Sequence, residues 1–461
     1  MKKLFTLGLA SIMTAGMAFA DAPSITLLDE TYEVIMQTGG GYMPQCISPN
    51  GKYLCGSGWT RYPWASQWQE QKTKIFTPAD GVILNEGEGE DSEGVDFACI
   101  NSSGTAVGWD DGGAVIMSAA TFTYGRFDFD AGNVRVTGVM IKAISDDGVV
   151  VGAVKQYGKT YYDAAIWVDN KLQLLPVPTA AEAGFRIYGS EAYCISLDGN
   201  VVLGKVVDRF GKYPPMVAWY RQEDGSYKLD PICSRYYSDP EYTPIDKANP
   251  FAKFHAFALS PNGKLALISL KPFPKSEDEP LTDIYTLAIM DLETETLRLS
   301  KTPDQIPDYM LLEALNRGIS DAGTVVGYYA ARLGENQNFI MYYDEMVPRP
   351  ISTVFPQIAE LADFEENEWC ALSSITPDGR YITGVGYQYF DFPGMGGNWA
   401  LQGFVVDTGQ VEVNDVEAVR IGDDDTDAPA EYFTLDGVRH QEPVKGINIV
   451  RRGSKTEKVI L

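Results

Sequence analysis

Seven copies of one short phrase run through the chain: an aliphatic residue, a Ser, Thr or Asn, a turn that ends in Gly, and a second aliphatic strand. The copies are PQCISPNGKYLCGSG from Pro44, FACINSSGTAVGW from Phe97, KAISDDGVVVGAV from Lys142, YCISLDGNVVLGKV from Tyr193, FALSPNGKLALISL from Phe257, RGISDAGTVVGYY from Arg317 and SSITPDGRYITGVG from Ser373. Their turn glycines are Gly51, Gly104, Gly148, Gly199, Gly263, Gly323 and Gly379. Each phrase reads as a hairpin whose Gly supplies the positive φ of a tight turn. Spacings run from 44 residues (Gly104 to Gly148) to 64 (Gly199 to Gly263). One four-stranded propeller blade needs that length, and a helical solenoid would be shorter and more regular. The expected fold is all-β, a seven-bladed β-propeller over residues 21–415 with a small C-terminal β module.

The third copy shows how a blade is written. AISDDGVVVGAV gives two strands, and YYDAAIWVDNKLQLLPV gives a second hairpin through Asp169 and Asn170. The same second half recurs as MVAWYRQEDGSYKLDPI, YTLAIMDLETETLRLS, NFIMYYDEMVPRPI and LQGFVVDTGQVEVN. Trp167 and Trp219 hold one repeat position, which marks them as core between blades rather than as ligand contacts. An aliphatic-x-Trp half followed by an A-I-S-x-x-G-x-V-V-G half resembles the HAF-type extracellular repeat, and the S-P-N/D-G-K variant is similar to repeats of the TolB and WD40-like class. The resemblance covers residues 44 to 413 and implies a fold, since those families are defined by structural residues and propellers carry many activities. Residues 24–37, SITLLDETYEVIMQ, have strand composition and stand ready either to close the ring with an outer strand or to decorate it.

After an acidic linker at 416–430, residues 431–461 read as a separate β module with turns at Asp436-Gly437, at Pro443 to Gly446 and at Gly453. The segment resembles the C-terminal module of exported Bacteroidetes proteins, which in some members is a type IX sorting signal. Here Asn448 stands in place of the usual aromatic, and Arg451-Arg452 follow.

At the other end, MKKLFTLGLASIMTAGMAFA has Lys2 and Lys3, a short apolar stretch and an Ala18-Phe19-Ala20 cleavage pattern, the form of a secretory signal peptide over residues 1–20. The apolar run is too short and too interrupted for a membrane span, so no transmembrane segment is expected in the mature chain. The expected destination is the periplasm, the cell surface or the medium. A net charge of −26 repels phosphate backbones and excludes nucleic acid as a partner. Of six cysteines, Cys46, Cys99 and Cys194 share the repeat position held elsewhere by Ala143, Ala258, Gly318 and Ser374. A site occupied by Cys, Ala, Gly and Ser is a small buried strand position. Cys55, Cys233 and Cys370 have no such alignment and leave room for one disulfide.

Strand connections alternate between the two ends of a propeller, so all motif turns and second-hairpin turns share one face. The long insertions 59–71, 84–96, 232–254, 270–283 and 386–399 share the other, where binding is usually built. Trp59, Tyr62, Trp64 and Trp68 in the first blade and Tyr387, Tyr389, Phe390, Phe392 and Trp399 in the seventh are the candidate ligand-binding residues. In a closed ring those blades are neighbours. Their aromatics either form a patch that stacks on sugars or grips a protein, or pack on one another as a small core over the ring closure.

No catalytic residue is assigned. His255 and His440 are the chain's two histidines, which disfavours a histidine triad or a His-rich metal site. The S-x-D-x-G-x-x-W box of sialidases is absent. Asp91, Glu93, Asp96, Asp110 and Asp111 could pair for sugar hydrolysis, although an acidic chain yields such pairs by chance. EGEGEDSEG and GDDDTD offer carboxylate oxygens to Ca²⁺ but lack ordered ligand spacing; they read as solvated acidic loops, with no cofactor expected and Ca²⁺ the alternative. The leading expectation is a non-catalytic exported protein that binds a glycan or an extracellular protein. The alternatives are an enzyme acting on extracellular carbohydrate through carboxylates on the same face, and a structural or adhesion spacer.

Overall fold

The computed structural model describes residues 17–19, 23–28, 42–60, 70–72, 75–77, 82–83, 96–110, 113–118, 123–180, 186–207, 216–230, 255–270, 286–294, 296–301, 311–313, 317–330, 336–356, 371–392 and 396–412, and in the tail 431–433, 439–440, 447–452 and 455–460. Residues 19–411 form one compact unit. Within it the motif copies build seven antiparallel sheets, numbered here in chain order of their motifs. The architecture is an all-β propeller.

Sheets 2 to 5 are simple four-stranded meanders. Sheet 3 is representative: Val136–Ile144, Val150–Gln156, Asp163–Val168 and Lys171–Leu174 pair in sequence order. Sheets 2, 4 and 5 begin with Asp96–Ile100, Gly189–Ile195 and His255–Leu259. Sheet 7 is also four-stranded, but its outermost strand is Ser24–Leu27, which pairs with Gly396–Asp407 from the far end of the chain. Of the two roles open to the segment at 24–37, its first four residues take the ring-closing one.

The expectation of seven complete four-stranded blades holds for five sheets. Sheet 1 has five strands, because Glu70–Lys72 adds to the end of Leu54–Thr60. Sheet 6 has three, Leu311–Glu313, Val325–Ala330 and Asn336–Met341, and its fourth position is reduced to a bridge between Ile340 and Arg349. The prolines at 348 and 350 lack the N–H that a longer strand there would need.

All seven turn glycines have positive φ, between 69° and 86°. Asp169 and Asn170, with φ of 48° and 59°, make the left-handed pair that a two-residue hairpin requires. Adjacent motif turns are tied edge to edge. Ser102 N donates to Asp146 Oδ1 (2.8 Å), Asp146 N to Leu197 O (2.9 Å), Leu197 N to Pro261 O (2.8 Å) and Asp321 N to Pro377 O (3.0 Å). Ile47 N donates to Ser374 Oγ at 3.1 Å, so the first sheet meets the seventh. Aliphatic and aromatic side chains fill the interfaces between sheets, with Trp167 and Trp219 buried in them as expected.

The second unit comprises 1–18 and 412–461. Its described core is a four-stranded sheet in the order Arg439–His440, Glu431–Phe433, Ile447–Arg452, Lys455–Ile460. Residues 1–16 and 20 of the expected signal peptide and all of the linker at 416–430 lie outside the described residues.

Candidate functional site

The inner strand of each sheet lies nearest the propeller axis, shielded on its flanks by neighbouring sheets and outwards by its own partners. Water therefore reaches the middle of such a strand only along the axis. The repeat position shared by Cys46, Cys99, Ala143, Cys194, Ala258, Gly318 and Ser374 is buried in every sheet, so at this level the axis is closed. One residue earlier, Gln45, Ala98, Lys142 and Tyr193 are half-exposed. Each inner strand runs toward the motif-turn face, which places the closed level nearer the turns and the accessible level nearer the long connections.

A β-bulge recurs at this accessible level. The ladder slips by one residue at Gln45, Ala98, Lys142, Tyr193, Phe257 and Ser373. Bulges re-aim a side chain that regular pairing would direct at a neighbouring sheet. In sheet 6 the equivalent residue is Arg317, whose backbone bridges Ser374 of sheet 7. Its side chain is 5% exposed, and Nη2 donates to Ile144 O of sheet 3 at 3.0 Å. Sheets 6 and 3 are not neighbours in the ring, so the guanidinium reaches across it.

Buried thiols adjoin this guanidinium. Cys46 Sγ lies 3.9 Å from Cys99 Sγ, which in turn approaches Ile144 O at 4.0 Å. Cys55 is the cross-strand neighbour of Cys46. These three and Cys194 are free thiols, as the small-residue pattern at Cys46, Cys99 and Cys194 predicts. Hydrogen bonding to Cys55, together with burial, pushes Cys46 up to about 12, while burial, opposed by Arg317, does the same for Cys194. Both side chains are therefore neutral thiols at pH 7. Cys233 and Cys370 lie outside the described residues.

Sheets 2, 3 and 4 supply a polar cluster. Glu191 accepts hydrogen bonds from Tyr193 Oη at 3.0 Å and from Lys205 Nζ at 3.0 Å. Lys205 Nζ also lies 4.9 Å from the centre of the Tyr193 ring, and Lys142 Nζ lies 5.3 Å from the centre of the Trp109 ring. Burial lowers the Lys142 pKa, Lys205 adds to the effect and Glu191 opposes it. Burial and the Glu191 carboxylate raise Tyr193, which keeps its proton.

None of these residues is among the sequence-based candidates. A signal for them was present: the residue before the shared small position varies freely through Gln45, Ala98, Lys142, Tyr193, Phe257, Arg317 and Ser373, as positions on an axis rather than in a core would.

Of the aromatic candidates, Tyr62, Trp64 and Trp68 lie outside the described residues. Trp59 is at the end of Leu54–Thr60, paired with Gln71. The segment at 386–399, read as a loop, is a correction: it is β-hairpin, the continuation of the twelve-residue strands Tyr381–Phe392 and Gly396–Asp407. Its alternating Tyr and Phe favour extended backbone. Register pairs Tyr387 with Leu401, Tyr389 with Trp399, Phe390 with Asn398 and Phe392 with Gly396. Among the carboxylates, Asp96 and Asp110 are strand residues, and Asp91, Glu93 and Asp111 lie outside the described residues, as do EGEGEDSEG and GDDDTD. Among the described residues no group of three or more His, Cys, Asp or Glu could hold a metal ion, and no helix is long and apolar enough to cross a membrane.

No protein-family model and no curated protein sequence matches the chain. Solved structures do. The chain is similar to U3-55K, with 10% identity and a TM-score of 0.39 over 83% of this chain and 98% of that one. It is similar to the Cps50 (Swd1) β-propeller domain of Myceliophteria thermophila, with 11% identity and a TM-score of 0.40 over 75% and 94%. A prolyl endopeptidase structure matches with 12% identity and a TM-score of 0.41 over 94% of this chain and 54% of that one. At these scores the likeness carries no argument about activity. The propeller assignment rests on the sheets themselves.

Proposed function

We propose that the chain is an exported, non-catalytic protein whose seven-bladed ring binds a glycan or an extracellular protein through its long-connection face. The observation that carries this reading is the hairpin of sheet 7. Beyond Val385 and Gly403 its two strands run on for seven residue pairs, past the described ends of both flanking strands. This extension runs away from the motif turn of its sheet, toward the long connections, and its register pairs Tyr389 with Trp399 and Tyr387 with Leu401. Aromatic side chains on a rigid ribbon suit stacking against sugar rings or anchoring a partner. The leader-like N-terminus, the HAF-like motif and the sorting-like tail support export by a Bacteroidetes-like bacterium.

The test is affinity electrophoresis of the mature protein against a panel of polysaccharides, with a parallel assay for reducing ends. Retention without new reducing ends is the expected outcome, weakened in Trp399→Ala at an unchanged unfolding midpoint. Release of reducing ends would overturn the non-catalytic reading. Unfolding of Trp399→Ala would assign the ribbon's aromatics to a small core instead.

A further inference from the structure

We propose that Cys46 and Cys99 are a redox pair, converted by a low-molecular-weight disulfide into a covalent staple between sheets 1 and 2. No ligand and no part of the long-connection face is involved, so the pair stands or falls separately from the binding role above. Three observations converge on it.

The first is geometry. Cys46 and Cys99 hold the same place in the inner strands Tyr42–Ile47 and Asp96–Ile100 of adjacent sheets, and their sulfurs lie 3.9 Å apart. A disulfide needs about 2.0 Å, so closure asks for a shift of about 2 Å shared between two side chains. Asn50 Nδ2 donates to Ser102 O at 2.7 Å. That bond ties the motif turns of the same two sheets and keeps the strands in the register that sets thiol against thiol.

The second is the repeat. Sheets 3, 5 and 7 fill this position with Ala143, Ala258 and Ser374, and sheet 6 with Gly318, so packing alone is satisfied by residues that form no disulfide. Cys194 of sheet 4 falls between Ala143 and Ala258 in the two neighbouring sheets. Sheets 1 and 2 are the adjacent pair that both carry a thiol there.

The third is burial. Cys46 and Cys99 are 1% and 0% exposed. Hydrogen bonding to Cys55 raises Cys46, hydrogen bonding to Cys46 raises Cys99, and burial adds to both, so the closed ring keeps the two thiols protonated. The thiolate is the attacking species. Exchange therefore belongs to the chain before its ring closes, and the closed ring shields the product from reductant.

In the first step the Cys46 thiolate attacks one sulfur of the reagent R–S–S–R, whose S–S bond breaks, and R–S⁻ leaves and takes up a proton. In the second the Cys99 thiolate attacks the Cys46 sulfur of the mixed disulfide and expels the other R–S⁻. Two cysteines give up two protons and two electrons, and one disulfide becomes two thiols.

The test refolds the full mature chain from urea either with oxidised glutathione or with reductant alone, then alkylates the remaining thiols and maps tryptic peptides. Cleavage after Lys52 separates Cys46 from Cys55, so the two neighbours of Cys46 give different cross-linked peptides. The expected product joins Cys46 to Cys99 and leaves Cys55 and Cys194 alkylated. The pair is 53 residues apart in sequence, and closing a loop of that size should raise the thermal midpoint of the oxidised chain by about 5 °C over the reduced one. Native reduced protein given the same reagent should form the same bond more slowly, since the ring must first open. Cys46→Ala and Cys99→Ala should each abolish the cross-link and the midpoint difference, whereas Cys194→Ala should keep both. Full alkylation of Cys46 and Cys99 after oxidative refolding, a bond from Cys46 to Cys55 or to any other cysteine, or an oxidised midpoint no higher than the reduced one would overturn the pairing.

Discussion

Arg317 of sheet 6 and Ile144 of sheet 3 meet across the ring, the guanidinium Nη2 donating to the Ile144 carbonyl at 3.0 Å. A buried, permanently charged group held by a carbonyl and bordered by thiols is costly to strand and costly to remove. Arg317→Ala should lower stability by about 3 kcal/mol, because it leaves both a void and an unsatisfied carbonyl. Arg317→Met, which refills the space, should cost about half as much. The urea midpoint reads both. With the guanidinium removed, the buried thiols beside it lose their cover, so a disulfide reagent should label native Arg317→Ala and leave the native parent unlabelled. Equal labelling of both would mean that Arg317 does not cover the thiols.

The thiols make the ring sensitive to alkali. Cys46 and Cys194 are raised from 9.0 to about 12 in the folded chain, so their contribution to stability is complete below pH 9 and is lost as pH rises toward 12. Cys46→Ala and Cys194→Ala install the residue that sheets 3 and 5 already carry at this position, Ala143 and Ala258. Each should cost about 1 kcal/mol at pH 7 and flatten the decline between pH 9 and 12. A decline as steep in the double variant as in the parent would place the alkaline transition elsewhere.

Much of this architecture is legible in the sequence because repetition removes ambiguity. The Gly that ends each motif turn has one physical reading, positive φ, and the structure gives it at all seven. A position shared by Cys, Ala, Gly and Ser has one reading too, a small buried site, and Cys46, Cys99 and Cys194 occupy it as free thiols. The polar cluster of Lys142, Glu191, Tyr193 and Lys205 is harder to see in the sequence. It comes together only when sheets 3 and 4 pack, and Lys142 and Tyr193 sit at bulges rather than in simple alternation. Sheet 6 was misjudged because NFIMYYDEMVPRPI scans like the other second halves, although Pro348 and Pro350 remove the donors its fourth strand would need. The strands continue through 386–392 and 396–399, where length alone suggests a loop, and the alternation of Tyr and Phe is the signal for the strand.

Trp167 and Trp219 occupy equivalent, fully buried positions with different polar surroundings. Trp219 Nε1 donates to Pro176 O at 2.7 Å, while Trp167 Nε1 finds no partner among the described residues. Replacement by Phe removes comparable volume at both sites and a hydrogen bond at only one. Trp219→Phe should therefore destabilise by about 1 kcal/mol more than Trp167→Phe, read as the difference in urea midpoint at equal m-value. Equal losses would show that the Pro176 bond is energetically silent.

Gly51 and Gly148 hold the same place in the motif and the same left-handed backbone, but only Gly51 lies against another sheet. A Cβ on Gly51 would sit 2.6 Å from Tyr381 Cδ2 of sheet 7, whereas one on Gly148 meets nothing within 4 Å. Gly148→Ala should cost about 1 kcal/mol, the price of a non-glycine residue at positive φ. Gly51→Ala adds the clash at the junction of sheets 1 and 7 and should cost at least about 1 kcal/mol more. Gly51→Ala combined with Tyr381→Ala should recover that excess, and failure to do so would locate the strain within the turn itself.

The same junction depends on the strand Ser24–Leu27 and the residue after it. Ser24–Leu27 is the outer strand of sheet 7, paired from Ser24 with Asp407 to Leu27 with Phe404. Leu28 continues the pairing through its N–H to Gly403 O at 2.9 Å, and its side chain is buried with Ile47, Leu54 and Val405. Removing residues 21–23 leaves every one of these contacts in place, whereas removing 21–28 strips an apolar anchor worth about 2 kcal/mol and bares the edge of Gly396–Asp407. The shorter deletion should match the parent in thermal unfolding. The longer one should melt well below it and self-associate in sedimentation velocity, because an exposed strand edge recruits another. Leu28→Ala, which keeps the strand and loses the anchor, should fall between them. A ring that melts unchanged and stays monomeric without residues 21–28 would show that sheets 1 and 7 hold together through Ile47, Ser374 and Tyr381 alone.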